Sequence, residues 1–120
     1  MYYNQDFGAF GEELATEYLL KENYKIITKN FSCYFGELDI IARDINKNEL
    51  VFVEVKTRKS AVYGSPAEAV GFYKQKHISK CAKYFIHIYH LEKEFIRFDV
   101  IEVFLDKKNA HFINHIKQAF

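Results

Sequence analysis

Hydrophobic residues recur along the first part of the chain with the 3.6-residue period of an α-helix. From residue 7 to residue 23 they form one apolar stripe, which comprises Phe7, Phe10, Leu14 and Tyr18 with Ala15 and Leu19 at its edge. Side chains three and four residues apart share a helix face, so this spacing predicts an amphipathic helix that ends at Asn23. Apolar and polar residues then alternate from Tyr24 to Phe31, which predicts a first strand.

Two further segments alternate with period two, and each has ionisable residues on one face. Glu37 and Asp39 share a face of the segment 36–42, and Glu54 and Lys56 share a face of the segment 51–56. The opposite faces are wholly apolar and read Leu38, Ile40, Ala42 in the first segment and Val51, Val53, Val55 in the second. The pattern predicts a β-hairpin whose charged groups lie at one end.

The length of the hairpin turn decides which residues face each other. A two-residue turn at Asn46-Lys47, or a four-residue turn over 45–48, places Asp39 opposite Glu54 and Glu37 opposite Lys56, about 5 Å apart at Cβ. A three-residue turn would shift this register by one residue. Either even-length turn therefore brings four ionisable groups together.

The second half of the chain predicts one long helix and one more strand. Ser65, Pro66 and Glu68 form a capping box with proline at the first helical position, and apolar spacing continues the helix to about Tyr89. Alternation returns from residue 95 to residue 105, and the tail from Asp106 onward is ambiguous. The predicted order is α-β-β-β-α-β. Apolar residues on both faces of the hairpin predict an α/β fold with helices on both faces of the sheet.

Composition restricts the class of protein. The chain has 120 residues, of which 49% are hydrophobic and 28% charged, values that predict one globular domain over residues 1–120. The start lacks a basic segment followed by a long apolar run, and no window could span a bilayer, so we expect a cytoplasmic protein without a membrane partner. Cys33 and Cys81 are expected to remain reduced thiols, because a domain of this size needs no disulfide.

Charge is unevenly distributed along the chain. Residues 1–55 carry ten acids and five bases, whereas residues 56–83 carry one acid and seven bases, for net charges of −5 and +6. The basic segment begins where the acidic one ends. A phosphate backbone could use both, with acids that hold divalent cations and bases that contact the strand on either side.

Carboxylates on adjacent strands are the usual ligands of magnesium in phosphodiester hydrolysis. Asp39 and Glu54, together with the main-chain carbonyl of Val55, are the expected ligands of Mg²⁺ or Mn²⁺. Lys56 would orient or deprotonate the attacking water, or stabilise developing charge, and Glu37 would support the group. The alternative is a structural salt-bridge cluster at the end of a sheet.

Other charged residues have both a functional and a structural interpretation. Glu12 or Glu13 could add a carboxylate if the first helix covers the hairpin, with Gly8 and Gly11 permitting close approach, or could simply favour the helix N-terminus. Basic residues that could contact phosphates, or be no more than a solvated surface, are Arg58, Lys74, Lys76 and Lys80. The spacings of His87 with His90 and His111 with His115 favour ordinary histidines over a zinc site.

Six short motifs extend over nearly the whole chain, namely Gly8-x-x-Gly11-Glu12, Asn30-Phe31, Gly36-Glu37-Leu38-Asp39, Phe52-Val53-Glu54-Val55-Lys56, Tyr63-Gly64-Ser65-Pro66 and Arg97-Phe98-Asp99-Val100. Together they resemble the YraN family, also called the uncharacterised family UPF0102. That resemblance implies a restriction-endonuclease-like fold with a mixed sheet, similar to the archaeal Holliday junction resolvases.

The same resemblance implies roles for individual residues. Glu12 would match the first-helix glutamate of the resolvases, Asp39 their metal-binding aspartate, and Glu54 with Lys56 their glutamate-x-lysine pair. A homodimer is implied too, because a four-way junction presents two symmetric scissile bonds.

These observations lead to three functional hypotheses. The first is a Mg²⁺-dependent endonuclease that acts on DNA, with branched DNA of repair or recombination as a candidate substrate. The second is a non-catalytic nucleic-acid-binding adaptor that keeps the fold and the basic segment. The third, a protein-binding module, would show no salt-dependent affinity for DNA.

Overall fold

In the computed structural model of this protein, residues 4–59, 70–106, 108 and 111–120 are described, with side chains from residue 7 onward. They form two helices and five strands, which are α1 (Asn4–Lys21), β1 (Tyr24–Cys33), β2 (Gly36–Asp44), β3 (Glu49–Lys59), α2 (Phe72–Ile88), β4 (Ile96–Leu105) and β5 (His111–Ile116). The predicted order is confirmed through β4. The ambiguous tail adds a fifth strand.

The five strands form one mixed sheet in the order β1-β2-β3-β4-β5. β3 and β4 are parallel, and the other neighbouring pairs are antiparallel. Parallel neighbours need a crossover connection, and α2 lies in the segment that joins β3 to β4. The α/β class predicted from the sequence is therefore confirmed.

Each face of the sheet is covered by one helix. The cluster on the α1 face includes Ala15, Leu19, Ile40, Ala42, Val51, Val53, Ile101 and Val103. The cluster on the α2 face includes Leu38, Ile41, Leu50, Phe52, Ile78, Cys81, Ala82, Phe85 and Val100. Burial of each large aliphatic or aromatic side chain contributes roughly 1.5–3 kcal/mol, so both faces stabilise the sheet. Helices on both faces, as predicted, are confirmed.

The β2–β3 hairpin has the predicted register. Its turn spans residues 45–48, and pairing runs from Asp44 with Glu49 to Ile40 with Val53. The ladder ends there, one residue before Asp39 and Glu54. The predicted pairing of Glu37 with Lys56 across the hairpin is therefore not formed, because it lies beyond the end of the β2–β3 ladder, although β2 continues to pair with β1 as far as Gly36.

The strict alternation predicted for β2 also fails near Asp39. Leu38 packs on the α2 face, whereas Ile40 packs on the α1 face. On β1, Asn30 lies between the partners of these two residues and has a left-handed backbone with φ of 54°. Asparagine adopts this conformation more easily than most residues. The irregularity turns the backbone at the level of Asp39.

The end of α1 agrees with the prediction from the sequence, whereas the start of α2 does not. Asn23, with φ of 66°, follows α1 in the left-handed conformation typical of a helix C-terminus. α2 begins at Phe72, and Val70 and Gly71 before it are not helical, so the predicted continuous helix from Pro66 is too long. The capping box itself lies outside the described residues.

A buried ionic network joins β4 to the hairpin turn. The Arg97 guanidinium donates hydrogen bonds of 2.7–2.9 Å to Asp99, Asp44, Glu49 and the hydroxyl of Tyr24. His115 of β5 joins this network. Its Nε2 lies 2.7 Å from Oδ2 of Asp99, and its Nδ1 lies 2.9 Å from the Tyr18 hydroxyl. The tail is thus held against the sheet by polar contacts.

Two further features bear on the expectations from composition. Cys33 and Cys81 are free thiols with their sulfurs 2.9 Å apart, at the contact between β1 and α2. In the part of the chain that the structure describes, no helix is long and apolar enough to cross a membrane.

Candidate active site

Asp39 and Glu54 come together where the β2–β3 ladder ends. Oδ2 of Asp39 accepts a 2.9 Å hydrogen bond from the main-chain N–H of Val55. The side chain of Asp39 therefore bridges the two strands at the first position that main-chain pairing leaves open. Glu54 is only 7% exposed, and it lies close enough to Asp39 for that charge to raise its pKa, after the larger effect of burial.

Lys74, in the first turn of α2, reaches this pair from above the sheet. Its Nζ lies 3.3 Å from Oε1 of Glu54, and its side chain remains 51% exposed. Glu54 points to the α2 face because it follows Phe52 by two residues on β3. Among the described residues, Lys74 is the cation within salt-bridge distance of this nearly buried carboxyl group.

The pKa values of both carboxyl groups are raised. Burial raises the pKa of Glu54 to about 7, with a further increase from the charge of Asp39 and partial compensation by Lys74 and Lys56. Burial also raises the pKa of Asp39, against the lowering effects of the Val55 N–H and Lys74. Two adjacent carboxyl groups repel each other when both are ionised, so this pair holds a proton more readily than an isolated carboxyl group would.

Glu12 reaches the same region from α1. A Cβ added at Gly11 would overlap the side chain of Thr57, so only glycine lets α1 approach β3 this closely. Burial and then the charge of Asp39 raise the pKa of Glu12, while Lys29 and a hydrogen bond with Asn30 lower it. The expectation of close approach is met at Gly11. At Gly8 it is wrong for the described residues, because a Cβ there would meet none of their atoms within 4 Å.

The structure therefore brings together three of the sequence-predicted acids. Within the described ranges, however, no three histidine, cysteine or carboxylate side chains stand close enough to hold a metal ion. The two carboxyl groups that lie close together are those of Asp39 and Glu54. Such a pair suits Mg²⁺, which commonly takes one or two carboxylates and completes its shell with water and substrate oxygens.

Lys56 and Glu37 lie at the edges of this site. Lys56 is partly exposed and lowers the pKa of Glu54, so its charge acts on the pair without a direct salt bridge in the described contacts. Glu37 is exposed, and its charge raises the pKa of Asp39 and of Glu12. Both residues are placed to affect the carboxyl groups electrostatically.

The predicted phosphate contacts have different surroundings. Arg58 forms a 3.0 Å salt bridge from Nε to Oε2 of Glu102 and is mostly buried, so it contributes little free charge at the surface. The ammonium of Lys76 lies 5.3 Å from the centre of the Phe72 ring, and that of Lys80 lies 5.9 Å from the centre of the Phe35 ring. These two lysines are exposed on α2.

Sequence reasoning missed two features of the site. Asn30 contacts Glu12 and turns the strand beside Asp39, and its only signal was an asparagine within an alternating segment. Lys74 was predicted as a phosphate contact, yet its partner in the structure is Glu54. The lysine lies twenty residues after the glutamate, and no local pattern connects the two.

Fold and site together define an α/β protein with a mixed five-stranded sheet and a buried carboxyl pair at the end of a hairpin. The model of the uncharacterised protein family UPF0102 matches residues 11–103. A UPF0102 protein of Caldicellulosiruptor bescii is 53% identical over 116 residues, which cover 94% of this chain and 95% of the relative. One of Clostridium botulinum strain Kyoto is 49% identical over 121 residues, with 99% and 97% coverage. The chain belongs to family UPF0102.

Proposed function

We propose that this protein is a Mg²⁺- or Mn²⁺-dependent endonuclease of the restriction-endonuclease-like class, with DNA as its substrate. Asp39, Glu54 and the carbonyl of Val55 are the proposed metal ligands, and Glu12 completes the carboxylate set. Branched DNA of repair or recombination is the proposed target, in keeping with the resemblance to the archaeal resolvases.

The observation that carries the proposal is the contact between Asp39 and Glu54, in which burial and mutual repulsion raise the pKa of Glu54 to about 7. A purely structural salt-bridge network would match each buried carboxylate with a cation. Here the nearest cation, Lys74, is half exposed and satisfies one oxygen of the pair. Strongly perturbed carboxyl groups of this kind are typical of functional sites.

The chemistry of the donors supports a divalent cation. Bound Mg²⁺ would supply electrostatic stabilisation at the scissile phosphate and lower the pKa of a nearby water. Asp39 would keep its orientation through the hydrogen bond that its Oδ2 accepts from the Val55 N–H. Lys56 would orient the attacking water or accept its proton, and Lys74 would be released from Glu54 to contact a phosphate oxygen.

Binding of the strand would depend on α2. The helix carries four lysines and no acid, and its first turn reaches the carboxyl pair. Cations on this helix would neutralise phosphates on one side of the scissile bond. A second copy of the chain is proposed for a junction substrate, because two symmetric cuts need two sites. Sedimentation velocity in the presence and absence of a junction would test this.

A non-catalytic adaptor is the second candidate, and it is favoured by one observation. No three-residue metal cluster is formed within the described residues. An adaptor would bind nucleic acid through the lysines of α2 and would have no turnover to lose. The two functions therefore differ in what happens when the carboxyl pair is neutralised.

The test compares labelled four-way junction, flap, duplex and single-stranded DNA with Mg²⁺, Mn²⁺ or EDTA. Wild type, Asp39→Asn, Glu54→Gln and the double variant Glu54→Gln/Lys56→Ala are assayed beside Glu13→Gln, an exposed neighbour of Glu12 on α1. Cleavage that requires metal, disappears in the site variants and survives in Glu13→Gln would support the nuclease. DNA binding without cleavage in every lane would favour the adaptor.

Metal binding is measured separately, by Mn²⁺ electron paramagnetic resonance without DNA. We expect wild type to bind Mn²⁺ more tightly than Glu54→Gln by at least about tenfold, because a carboxylate ligand is lost. Equal Mn²⁺ affinity in both proteins would argue against the carboxyl pair as the metal site.

A further inference from the structure

The tip of the β1–β2 hairpin presents two aromatic rings at the protein surface. Tyr34 is 96% exposed and Phe35 is 39% exposed, with their ring centres 5.6 Å apart in an edge-to-face arrangement. Exposed single hydrophobic residues are common, but two adjacent rings at the tip of a hairpin form a small binding platform.

Helix α2 extends this platform with positive charge. The Lys80 ammonium lies over the Phe35 ring at 5.9 Å, and a groove of about 360 Å³ is lined by Phe35, Lys80, Lys83, Tyr84 and His87. Tyr84 is 43% exposed. We call Tyr34, Phe35, Lys80, Lys83 and Tyr84 the aromatic–lysine strip.

The strip is adjacent to the candidate active site. The Sγ of Cys81 on α2 donates a 3.7 Å hydrogen bond to the main-chain carbonyl of Gly36, so the tip of the hairpin lies against the helix. The next residue, Glu37, acts electrostatically on Asp39 in the site and on Cys81 in the middle of α2. On the same helix, Lys74 contacts Glu54, and Lys80 lies six positions further along, a rise of about 9 Å.

The chemistry of the strip favours unpaired nucleotides. Bases in a duplex stack on one another, so a protein ring can stack on a base only when the base is unpaired. A groove that pairs lysines with aromatic rings is the usual way to hold a single strand. Interfaces between proteins are also rich in aromatic residues but are depleted in lysine, whereas α2 carries four lysines and no acid.

We propose that the aromatic–lysine strip holds unpaired nucleotides of a DNA strand that continues into the carboxyl pair, so that the substrate carries a single-stranded segment. This inference rests on the proposed function, because DNA as the polymer is adopted from it. It adds the class of DNA structure that the site accepts, such as a flap, an overhang or an opened junction.

The test measures fluorescence anisotropy of labelled single-stranded and duplex oligonucleotides of equal length, in EDTA so that no cleavage occurs. Tyr34→Leu removes a ring that is almost fully exposed, so folding should be unaffected, and Tyr34→Leu/Phe35→Leu removes both rings. Tyr34→Phe keeps the ring. Phe95→Leu is the matched control, because Phe95 is 77% exposed and precedes β4 at the opposite end of the sheet.

We expect the double variant to bind single-stranded DNA about tenfold or more weakly than wild type, with little change for duplex. Tyr34→Phe and Phe95→Leu should bind like wild type. Wild-type affinity of the double variant for the single strand, equal losses for single strand and duplex, or ring-dependent binding of RNA but not of DNA would each overturn the inference.

The two proposals can fail separately. A protein that cleaves nothing but binds single strands through Tyr34 and Phe35 would overturn the nuclease and leave the strip in place. A metal-dependent nuclease that binds and cleaves equally well without both rings would overturn only the strip.

Discussion

The ammonium nitrogen of Lys74 lies 3.3 Å from Oε1 of Glu54, a contact that joins α2 to the centre of the sheet. The two partners differ in solvent exposure, since the Glu54 side chain is 9% exposed and that of Lys74 is 51% exposed. The lysine has room to turn toward solvent or another anion, while the glutamate is fixed in place by burial. This contact links the carboxyl pair to whatever α2 binds.

Replacement of Lys74 by methionine should raise the pKa of Glu54 above its value of about 7, because the lysine lowers that pKa by charge and by hydrogen bonding. Carboxyl ¹³C NMR titration without metal would measure it. Lys83→Met is the matched control, since Lys83 lies in the groove on α2 away from Glu54. An unchanged Glu54 midpoint in Lys74→Met would show that the contact is electrostatically unimportant.

The stability of the protein should fall as pH rises through neutrality. The pKa of Glu54 is about 7 in the folded protein against an ordinary value of 4.5, so the folded state holds the proton more tightly. Its contribution to stability is complete below pH 4.5 and is lost as pH rises through about 7, up to about 3 kcal/mol for a shift of this size.

The Glu54→Gln side chain does not ionise, so the free energy of unfolding of this variant should decline less than that of wild type between pH 5 and pH 8. Urea unfolding in EDTA at both pH values would measure the difference. Parallel pH profiles for the two proteins would contradict the perturbed pKa. Added Mg²⁺ should stabilise wild type at pH 8 more than Glu54→Gln, if the pair binds the ion.

Gly11→Ala should destabilise the protein by roughly 1–3 kcal/mol, because the added methyl group overlaps Thr57 and pushes α1 away from β3. Glu12 would move with the helix. Gly8→Ala is the matched control on the same helix, where the methyl group meets no atom of the described side chains and backbone within 4 Å. That control should stabilise the protein by about 0.5–1 kcal/mol through helix propensity. Equal melting temperatures for the two variants would show that close approach at Gly11 is unimportant.

Arg97→Met should cost about 3–5 kcal/mol of unfolding free energy, because it leaves buried carboxylates without their cation. Arg43→Met removes the partly exposed salt bridge with Glu94 and should cost no more than about 1 kcal/mol. Chemical denaturation of both variants gives the comparison. Similar losses would mean that the Arg97 network behaves like a surface pair.

Low pH should affect the same network in the direction opposite to Glu54. Burial would raise the pKa of Asp99, but hydrogen bonds from His115, Arg97 and the Gln118 N–H hold it below its usual value. Its contribution is therefore present above about pH 4 and is lost as pH falls through the depressed pKa. In Arg97→Met this loss below pH 4 should be smaller than in wild type.

Local periodicity was sufficient for most of the secondary structure. The stripe that includes Ala15 and Leu19 placed α1, and alternation placed the first four strands, because burial on one face repeats every 3.6 or 2 residues whatever the rest of the chain does. It also restricted the hairpin register, since either even-length turn gives the same pairing, and the structure has the four-residue turn over 45–48. The tail from Asp106 onward had no clear period, and β5 forms through pairing with β4 and the contacts of His115.

For the site, the sequence alone determined which residue types are available and that Asp39 and Glu54 lie at one end of a hairpin. Only the tertiary structure decided that Lys74 contacts Glu54 and that Asn30 turns the strand beside Asp39. It also decided that α1 packs closely on β3 at Gly11, which brings Glu12 toward the site. The reason is physical. Periodicity encodes contacts within an element, whereas contacts between elements depend on how two helices pack on opposite faces of one sheet, and the burial that raises the pKa of Glu54 exists only after that packing.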